Sequence, residues 1–266
     1  MRDGALEGLL KRTFRISLTA QVIALVLSVI ALTRDGGSEL LRATLIIGLV
    51  VAGIQFAYYT QAYARAFWLG QEGVLAIRNR YADWTLTTPL MMIGLHSLIV
   101  YFDDNCAGLD DTFGDAAVVT ANVVAVLADL GMLACGYLVD SERFTDPSRA
   151  LGTLGVGFGF LVFTYLPSFV LVGMFYTVES LLIVIASLLL WCAYGLASIK
   201  YMYEPERRNV AYNVFDVFAK NIYQIVRCRR RTHTLTRSHV HTRTYPHAPY
   251  LAQAIAIHVL STSKTC

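Results

Sequence analysis

Seven long apolar runs constrain this chain more than any other feature of its sequence. Each run holds about 18 to 26 residues, enough for an α-helix to cross a hydrocarbon core about 30 Å thick. Short segments with turn-forming residues separate the runs, which are Phe14–Thr33, Leu41–Tyr63, Ile77–Phe102, Ala116–Leu138, Leu151–Phe175, Val178–Ile199 and Asn209–Val226. The sequence therefore predicts an all-α membrane protein built as a bundle of seven transmembrane helices.

The composition excludes a soluble domain of this size. Hydrophobic residues make up 56% of the 266 residues, charged residues only 15%, and the mean hydropathy is +0.52. Lys11, Arg12 and Arg15 at the start of the first run could indicate a signal peptide, but the length of that run and the lack of a small-x-small cleavage site favour a retained span. The net charge of +3 gives no reason to expect a nucleic-acid partner.

The predicted domain boundary follows the last span. Residues 1–228 form the predicted transmembrane domain, and residues 229–266, rich in Thr, His, Arg and Ser, are predicted to be a basic, poorly ordered tail. His239 and His241 in this tail could bind a metal, but no cluster of further ligands accompanies them. The five cysteines also lack metal-type spacing, so no metal site is expected.

Lys220 is the deepest base in the sequence, in the middle of the seventh run. Asp216 precedes it by four residues, so both side chains share one helix face. A buried lysine beside a carboxylate is either a structural ion pair or an activated amine that can bond to a carbonyl compound as a Schiff base. This spacing alone leaves both interpretations open.

The stretch RYADWTLTTP adds more charge to the third run. Asp83 and Thr87 are four residues apart on one helix face, and Arg80 lies one turn earlier. One lysine with two carboxylates and an arginine would be nearly neutral, which lowers the free-energy cost of burial. A structural ion pair needs only one base and one carboxylate. The two additional charges therefore favour the interpretation as a functional site.

Aromatic side chains accompany these charges. Trp84 follows Asp83, and Trp191 and Tyr194 are three residues apart in the sixth run. A flat polyene between Trp84 and Trp191 would be enclosed by rings, although aromatic residues that only pack helices are the alternative interpretation.

Three motifs carry a family resemblance: RYADWTLTTP in the third run, LWCAYG in the sixth and DVFAK in the seventh. Their order and content resemble the microbial (type 1) rhodopsins, and YNVFDVFAKN together with AYG is similar to the rhodopsins of large algal viruses. The resemblance covers about residues 10–228. It implies a seven-helix bundle with retinal in the core, an extracellular N-terminus and a cytoplasmic C-terminus.

The resemblance also implies roles for single residues. Lys220 would bind all-trans retinal as a Schiff base, Asp83 would be counterion and proton acceptor, and Asp216 the second counterion. Arg80 would gate the extracellular side, Thr87 would hydrogen-bond to Asp83, and Asp129 would pair with Thr88. The implied retinal pocket consists of Trp84, Thr87, Thr88, Met91, Trp191 and Tyr194, with Tyr59 near Asp216.

Departures from the family pattern bear on the direction of transport. Many outward proton pumps carry a carboxylate seven residues after the Thr87 position, where this chain has Gly94. His96 is about 200° further around the helix and is a poor substitute. Polar side chains on the first, second and seventh helices could wet an ion path, although scattered interhelical hydrogen bonds are an equal alternative; they are Ser17, Gln61 and Asn213.

The sequence therefore predicts a light-activated retinal protein, not an enzyme, that moves ions across a membrane. A light-gated cation channel is the first interpretation, because the cytoplasmic proton donor is missing. A slow outward proton pump is the second and a sensory photoreceptor the third, while a seven-helix receptor or transporter without retinal is the rival outside the family. The expected partners are the lipid bilayer, protons or other cations, and further copies of the chain.

Overall fold

Seven α-helices form the part of the chain that the computed structural model describes, which is residues 4–33, 39–68, 74–103, 115–141, 146–174 and 177–220. In chain order they are α1 Gly4–Thr33, α2 Glu39–Trp68, α3 Val74–Asp103, α4 Ala116–Asp140, α5 Pro147–Met174, α6 Val178–Lys200 and α7 over 205–220. Within the described residues there is no β-strand. The predicted all-α bundle is confirmed.

The first six helices are each long and apolar enough to cross a membrane. Several extend beyond the apolar runs that predicted them; α1, for example, begins at Gly4 instead of Phe14. The polar ends of a spanning helix can project into the headgroup region, where water forms hydrogen bonds with their polar groups. These spans support an integral, multi-pass membrane protein. The end of the seventh predicted run and the predicted tail at 229–266 lie outside the described residues.

Helix α3 lies at the centre of the bundle. In its apolar window 67% of the residues are buried, whereas the corresponding share is 28% in both α1 and α6. The outward faces of the peripheral helices carry large aliphatic side chains, such as Ile16 and Leu189, that are more than half exposed. Lipid can cover such a face, so the polar side chains of the chain collect around α3 inside the bundle.

Side chains satisfy the ends of two later helices. The Asp115 carboxylate accepts a hydrogen bond from the main-chain N–H of Ala117 at the start of α4, and the Thr177 hydroxyl accepts one from Ser180 N–H at the start of α6. Both are polar residues of the kind preferred just before a helix. They fix where α4 and α6 begin and therefore the depth at which their interior side chains lie.

Candidate functional site

The four charged residues predicted from the sequence meet in the bundle interior. Lys220 Nζ lies 3.1 Å from Asp83 Oδ2 and 3.7 Å from Asp216 Oδ1, and Arg80 Nη1 lies 3.9 Å from Asp216 Oδ2. All four side chains are buried. We call Lys220, Asp83, Asp216 and Arg80 the Lys220 cluster. Two positive and two negative charges balance in it, which lowers the cost of burying them.

The two aspartates of the Lys220 cluster differ in their hydrogen bonds. Asp216 accepts from the hydroxyl of Tyr59 at 2.6 Å on one oxygen and from the hydroxyl of Tyr194 at 2.8 Å on the other. Asp83 Oδ2 accepts from Gln55 Nε2 at 3.2 Å, whereas its Oδ1 has no hydrogen-bond partner among the described residues. Asp83 therefore has one buried oxygen that can still accept a hydrogen bond, whereas both oxygens of Asp216 already accept one.

Arg80 is held mainly by rings. Its Nη2 donates to Asn213 Oδ1 at 2.8 Å, while Nε and Nη1 have no hydrogen-bond partner among the described residues. The guanidinium carbon lies 5.3 Å from the ring centre of Tyr212, 5.8 Å from Trp84 and 5.9 Å from Tyr58. Such cation–π contacts are weaker and less directional than a bidentate salt bridge. The geometry leaves this cation able to change its partners.

The two threonines predicted at the site form different contacts. The Thr87 hydroxyl donates to the main-chain carbonyl of Asp83 at 3.0 Å, so the predicted link to Asp83 runs to the backbone and not to the carboxylate. The Thr88 hydroxyl lies 2.6 Å from Asp129 Oδ2 and 2.8 Å from the carbonyl of Trp84. The structure thus brings Thr88 and Asp129 together and joins α3 to α4 at this depth.

A cavity opens beside Lys220 and Asp216 and extends between α3, α4, α5 and α6. The cavity is open on one side, and the space inside it and in its mouth together amounts to about 750 Å³. Five residues predicted for the pocket line it: Trp84, Thr88, Met91, Trp191 and Tyr194. Its remaining wall includes residues of α4 and α5 that sequence reasoning did not find: Met132, Leu133, Gly136, Leu154, Gly157, Phe158 and Leu161.

Two residues predicted for the pocket lie elsewhere. Thr87 is buried but does not line the cavity, because it is about 100° around α3 from its neighbour Thr88. Tyr59 lies behind Asp216, to which its hydroxyl is bound, and does not reach the cavity either. Tyr59 is near Asp216 as predicted, so it contacts the charged end of the site.

Small residues let aromatic rings shape this cavity. A side-chain carbon added at Gly195, the position where the family usually has proline, would lie only 2.5 Å from a ring carbon of Phe158. One added at Gly136 would lie 2.8 Å from the Tyr81 hydroxyl oxygen. Real side chains do not approach so closely. Gly195 and Gly136 therefore allow Phe158 and Tyr81 to lie where they do.

Two of the three residues predicted for an ion path are in contact. The Ser17 hydroxyl donates to the main-chain carbonyl of Asn213 at 3.1 Å, and Asn213 Nδ2 donates to Thr13 Oγ1 at 3.2 Å. The third, Gln61, is exposed on the outside of α2. It follows the buried Tyr59 by two residues, about 200° around the helix. Gln61 therefore does not face the polar region of Ser17 and Asn213.

Buried Gln21 extends this polar region by one turn of α1 beyond Ser17. It is fully buried, and neither amide atom of its side chain has a hydrogen-bond partner among the described residues. Gln55 Oε1 on α2 is also without one. Buried amides in membrane proteins are normally paired or in contact with water. These atoms therefore leave hydrogen-bonding capacity unused inside the bundle on α1 and α2.

His96 occupies a separate polar site. Its Nδ1 lies 2.9 Å from Asn122 Oδ1 and its Nε2 lies 2.9 Å from Ser168 Oγ, so the ring is fixed between α3, α4 and α5. Neither ring nitrogen is directed at the Lys220 cluster. His96 therefore does not replace the carboxylate missing at Gly94.

A second group of buried charges was missed by sequence reasoning, which placed Asp140 in a loop. Asp140 is the last residue of α4 and only 2% exposed. Its Oδ1 lies 3.3 Å from Arg208 Nη1, and it accepts hydrogen bonds from Tyr81 at 2.9 Å, Tyr212 at 3.2 Å and Ser198 at 3.4 Å. We call these five residues the Asp140 cluster. A signal for it exists in α7, where Arg208, Tyr212, Asp216 and Lys220 follow one another at intervals of four residues.

A seven-helix membrane bundle with a buried lysine, two aspartates and an aromatic cavity is the architecture of the microbial rhodopsins. A sequence profile described as bacteriorhodopsin-like protein matches residues 10–234, which is most of the chain. The chain belongs to this family, which implies a retinal chromophore. The predicted resemblance is confirmed. No curated protein matches the sequence at a significant level.

Solved structures agree in fold. The viral rhodopsin OLPVRII has 22% sequence identity and a TM-score of 0.72, with coverage of 85% of this chain and 99% of that chain. The rhodopsin of Exiguobacterium sibiricum has 16% identity and a TM-score of 0.67, with 86% and 98% covered. Bromide-bound halorhodopsin from Halobacterium salinarum has 16% identity and a TM-score of 0.64, with 85% and 94% covered.

Proposed function

We propose that the protein is a light-gated cation channel that binds all-trans retinal at Lys220, with its N-terminus outside the cell. Family membership supports light-driven ion transport in general, and the channel is the specific form that we propose. The observation that carries it is the buried polar region of Ser17, Gln21 and Asn213, in which both Gln21 amide atoms lack a partner among the described residues.

The residues around the cavity fit retinal. An apolar, aromatic wall suits a polyene, and the wall ends at the only lysine buried within the described residues. Asp83 Oδ1 and Arg80 Nε, both buried and without hydrogen-bond partners there, leave polar capacity for water beside that amine. Bound at Lys220, retinal would supply absorption of visible light and a change of shape inside the cavity.

Asp83 is the proposed proton acceptor. Its Oδ2 lies 3.1 Å from Lys220 Nζ, which is within direct transfer distance, and its Oδ1 is not engaged. Asp216 is further from Nζ and already accepts from two tyrosine hydroxyls, which stabilise its charge. A proton leaving the nitrogen of Lys220 would therefore move to Asp83, while Asp216 remains the fixed counterion.

Arg80 and Asn213 form the proposed gate. Once Asp83 carries a proton, the Lys220 cluster loses one negative charge and the balance around Arg80 changes. Arg80 donates a short hydrogen bond to Asn213, and Asn213 also contacts α1 through Thr13 and Ser17. Movement of Arg80 would therefore loosen the contact of α7 with α1 and connect the polar region to the outside.

A current–voltage series under light tests the channel. The photocurrent of a channel reverses near the equilibrium potential of the permeant ion, so changing the sodium or proton gradient should move the reversal potential. A pump moves charge in one direction per cycle, and the membrane potential opposes each unit charge by only about 2.3 kcal/mol per 100 mV. An outward current that ignores both gradients would contradict the channel.

A slow outward proton pump is the second candidate. The 3.1 Å contact between Lys220 Nζ and Asp83 supports it, because a pump needs a nearby acceptor. Among the structural neighbours, one from Acetabularia acetabulum is described as a proton pumping rhodopsin and one from Coccomyxa subellipsoidea as a light-driven proton pump. Gly94 argues for slow turnover, since no carboxylate at that position can return the proton.

A further inference from the structure

The Asp140 cluster, which the proposed transport path does not use, is built into the wall of the cavity. Tyr81, Ser198 and Tyr212 each line the cavity, and the hydroxyl of each lies within hydrogen-bonding distance of the Asp140 carboxylate. The Ser198 and Tyr212 hydroxyls are also hydrogen-bonded to each other, so one of them donates to the other and the remaining hydrogen goes to Asp140. Asp140 and Arg208 themselves do not line the cavity and lie one side chain further out. One buried carboxylate therefore fixes three hydroxyls that face the space proposed for retinal.

The charged atoms of this cluster are ordered by distance from the cavity. The Asp140 carboxylate contacts the wall hydroxyls directly, whereas Arg208 contacts Asp140 Oδ1 and the main-chain carbonyl of Met202, neither of which belongs to the cavity wall. Both charges are only 2% exposed, so solvent screens them poorly. Tyr212 precedes Lys220 by eight residues, about 12 Å along α7. The part of the cavity beside the Tyr212 hydroxyl should consequently experience a net negative potential from this pair.

We propose that Asp140 and Arg208 are positioning residues that set the absorption wavelength of the bound chromophore through the sign of their charges. This inference rests on the proposed binding of retinal at Lys220. Light absorption by a polyene joined to a cationic nitrogen moves positive charge away from that nitrogen and along the polyene. A negative charge near the far end stabilises the excited state and shifts absorption to the red, and a positive charge there shifts it to the blue.

Opposite charge changes give the test. Purified Arg208→Gln protein keeps the Asp140 carboxylate and loses the cation, so its band should lie to the red of the Asp140→Asn/Arg208→Gln double variant. Asp140→Asn keeps only the cation, so its band should lie to the blue of the double variant. A purely structural role for the pair predicts no such reversal of sign.

The control is Arg207→Gln, the adjacent arginine. Arg207 is 55% exposed and pairs with the half-exposed Glu204, so solvent screens it and its loss should leave the band in place. Thermal unfolding of each apoprotein measures structural damage without the chromophore. Arg208 without its partner can destabilise the Asp140→Asn protein. If the Asp140→Asn protein cannot be purified, the red shift of Arg208→Gln relative to the double variant is the test.

Spectra should be recorded at neutral and alkaline pH, because Asp140 without Arg208 can take up a proton. The titratable or charged groups that face Asp140 are Tyr81 on α3 and Arg208 and Tyr212 on α7, with Arg80 on the other side of the Tyr212 ring. Red and blue shifts of opposite sign support the inference. Bands that coincide at every pH, or that shift in the same direction, overturn it. A wild-type protein without any visible band would instead overturn the proposed binding of retinal.

Discussion

Two buried clusters of charge meet at Tyr212, and they differ in how completely their polar atoms are paired. In the Lys220 cluster, Asp83 Oδ1 and two nitrogens of Arg80 have no hydrogen-bond partner among the described residues. In the Asp140 cluster, both carboxylate oxygens accept hydrogen bonds, and within the described residues only Arg208 Nη2 is left without a partner. The first arrangement has room for a change in protonation or partners, and the second is close to a closed network.

This difference has a physical consequence. Fully paired polar networks make helices rigid, whereas a buried polar atom without a partner carries a free-energy cost that a new partner can relieve. The Lys220 cluster is therefore suited to move a proton, and the Asp140 cluster is suited to hold α3, α4, α6 and α7 together at the wall of the cavity. Tyr212 connects the two, since its ring contacts Arg80 and its hydroxyl binds Asp140.

The largest effect should follow from removal of Lys220. Lys220→Ala should abolish the visible absorption band while the protein still inserts in the membrane, since no other buried lysine lies within the described residues. Lys200→Ala is the matched control, because Lys200 lies exposed at the end of α6. A retinal band that survives in purified Lys220→Ala protein would contradict the assignment of this cluster as the attachment site.

Removal of one aspartate should break the charge balance of the Lys220 cluster. Asp83→Asn removes the carboxylate nearest to Lys220 Nζ, so the protonated form of the pigment should absorb further to the red and should bleach at lower pH than wild type. A pH titration of the absorption spectrum measures both effects. If that titration is unchanged, the role of main counterion moves to Asp216.

Asp146→Asn is the control for this titration. Asp146 lies at the start of α5 outside the span, and hydrogen bonds from Ser148 hold the pKa of its carboxyl below its usual range. A lowered pKa keeps this group charged from neutral pH down through the ordinary carboxyl range. Its substitution therefore removes one constant exposed charge and should leave the bleaching pH where it is.

The sequence predicted the Lys220 cluster because its charges interrupt long apolar runs. Asp83, Asp216 and Lys220 lie among aliphatic and aromatic neighbours, where a charged side chain is costly and usually indicates a functional site. Asp140 and Arg208 lie at the ends of helices beside other charged and turn-forming residues, where they look like loop residues in contact with water. Their burial depends on how α4, α6 and α7 end against α3, which no local pattern contains.

The same limit applies to single positions around the cavity. The family resemblance implied that Trp84, Thr88 and Met91 belong to the pocket, and all three line the cavity, but the walls from α4 and α5 depend on helix packing and were not predicted. The amide of Gln61 suggested an interior position, whereas the phase of α2 turns this side chain outward. The polarity of a side chain therefore does not show whether it faces the bundle or the lipid. The buried face of α2 is identified by Tyr58, Tyr59 and Ala62.

A smaller effect is expected from removing a buried amide that has no hydrogen-bond partner. Gln21→Leu replaces a buried amide that lacks partners with an apolar side chain, so it should reduce the light-gated current several-fold by excluding water from the polar region. The retinal band should remain, because Gln21 does not line the cavity. Gln61→Leu is the matched control on the exposed face of the adjacent helix. Equal currents in both variants would place the ion path elsewhere.

The smallest effect should come from the Thr88–Asp129 contact, which lies beside the cavity and joins α3 to α4. A hydrogen bond of this kind inside a membrane contributes about 1 kcal/mol, so Asp129→Asn should slow recovery after a flash by roughly fivefold. Thr88→Val should have a similar effect, and the double variant should be no slower than either single one, because both substitutions remove one contact. Additive slowing would mean that the two residues act separately. Unaltered flash kinetics would leave Asp129 as a packing residue, and control of the photocycle would then rest with the incompletely paired Lys220 cluster alone.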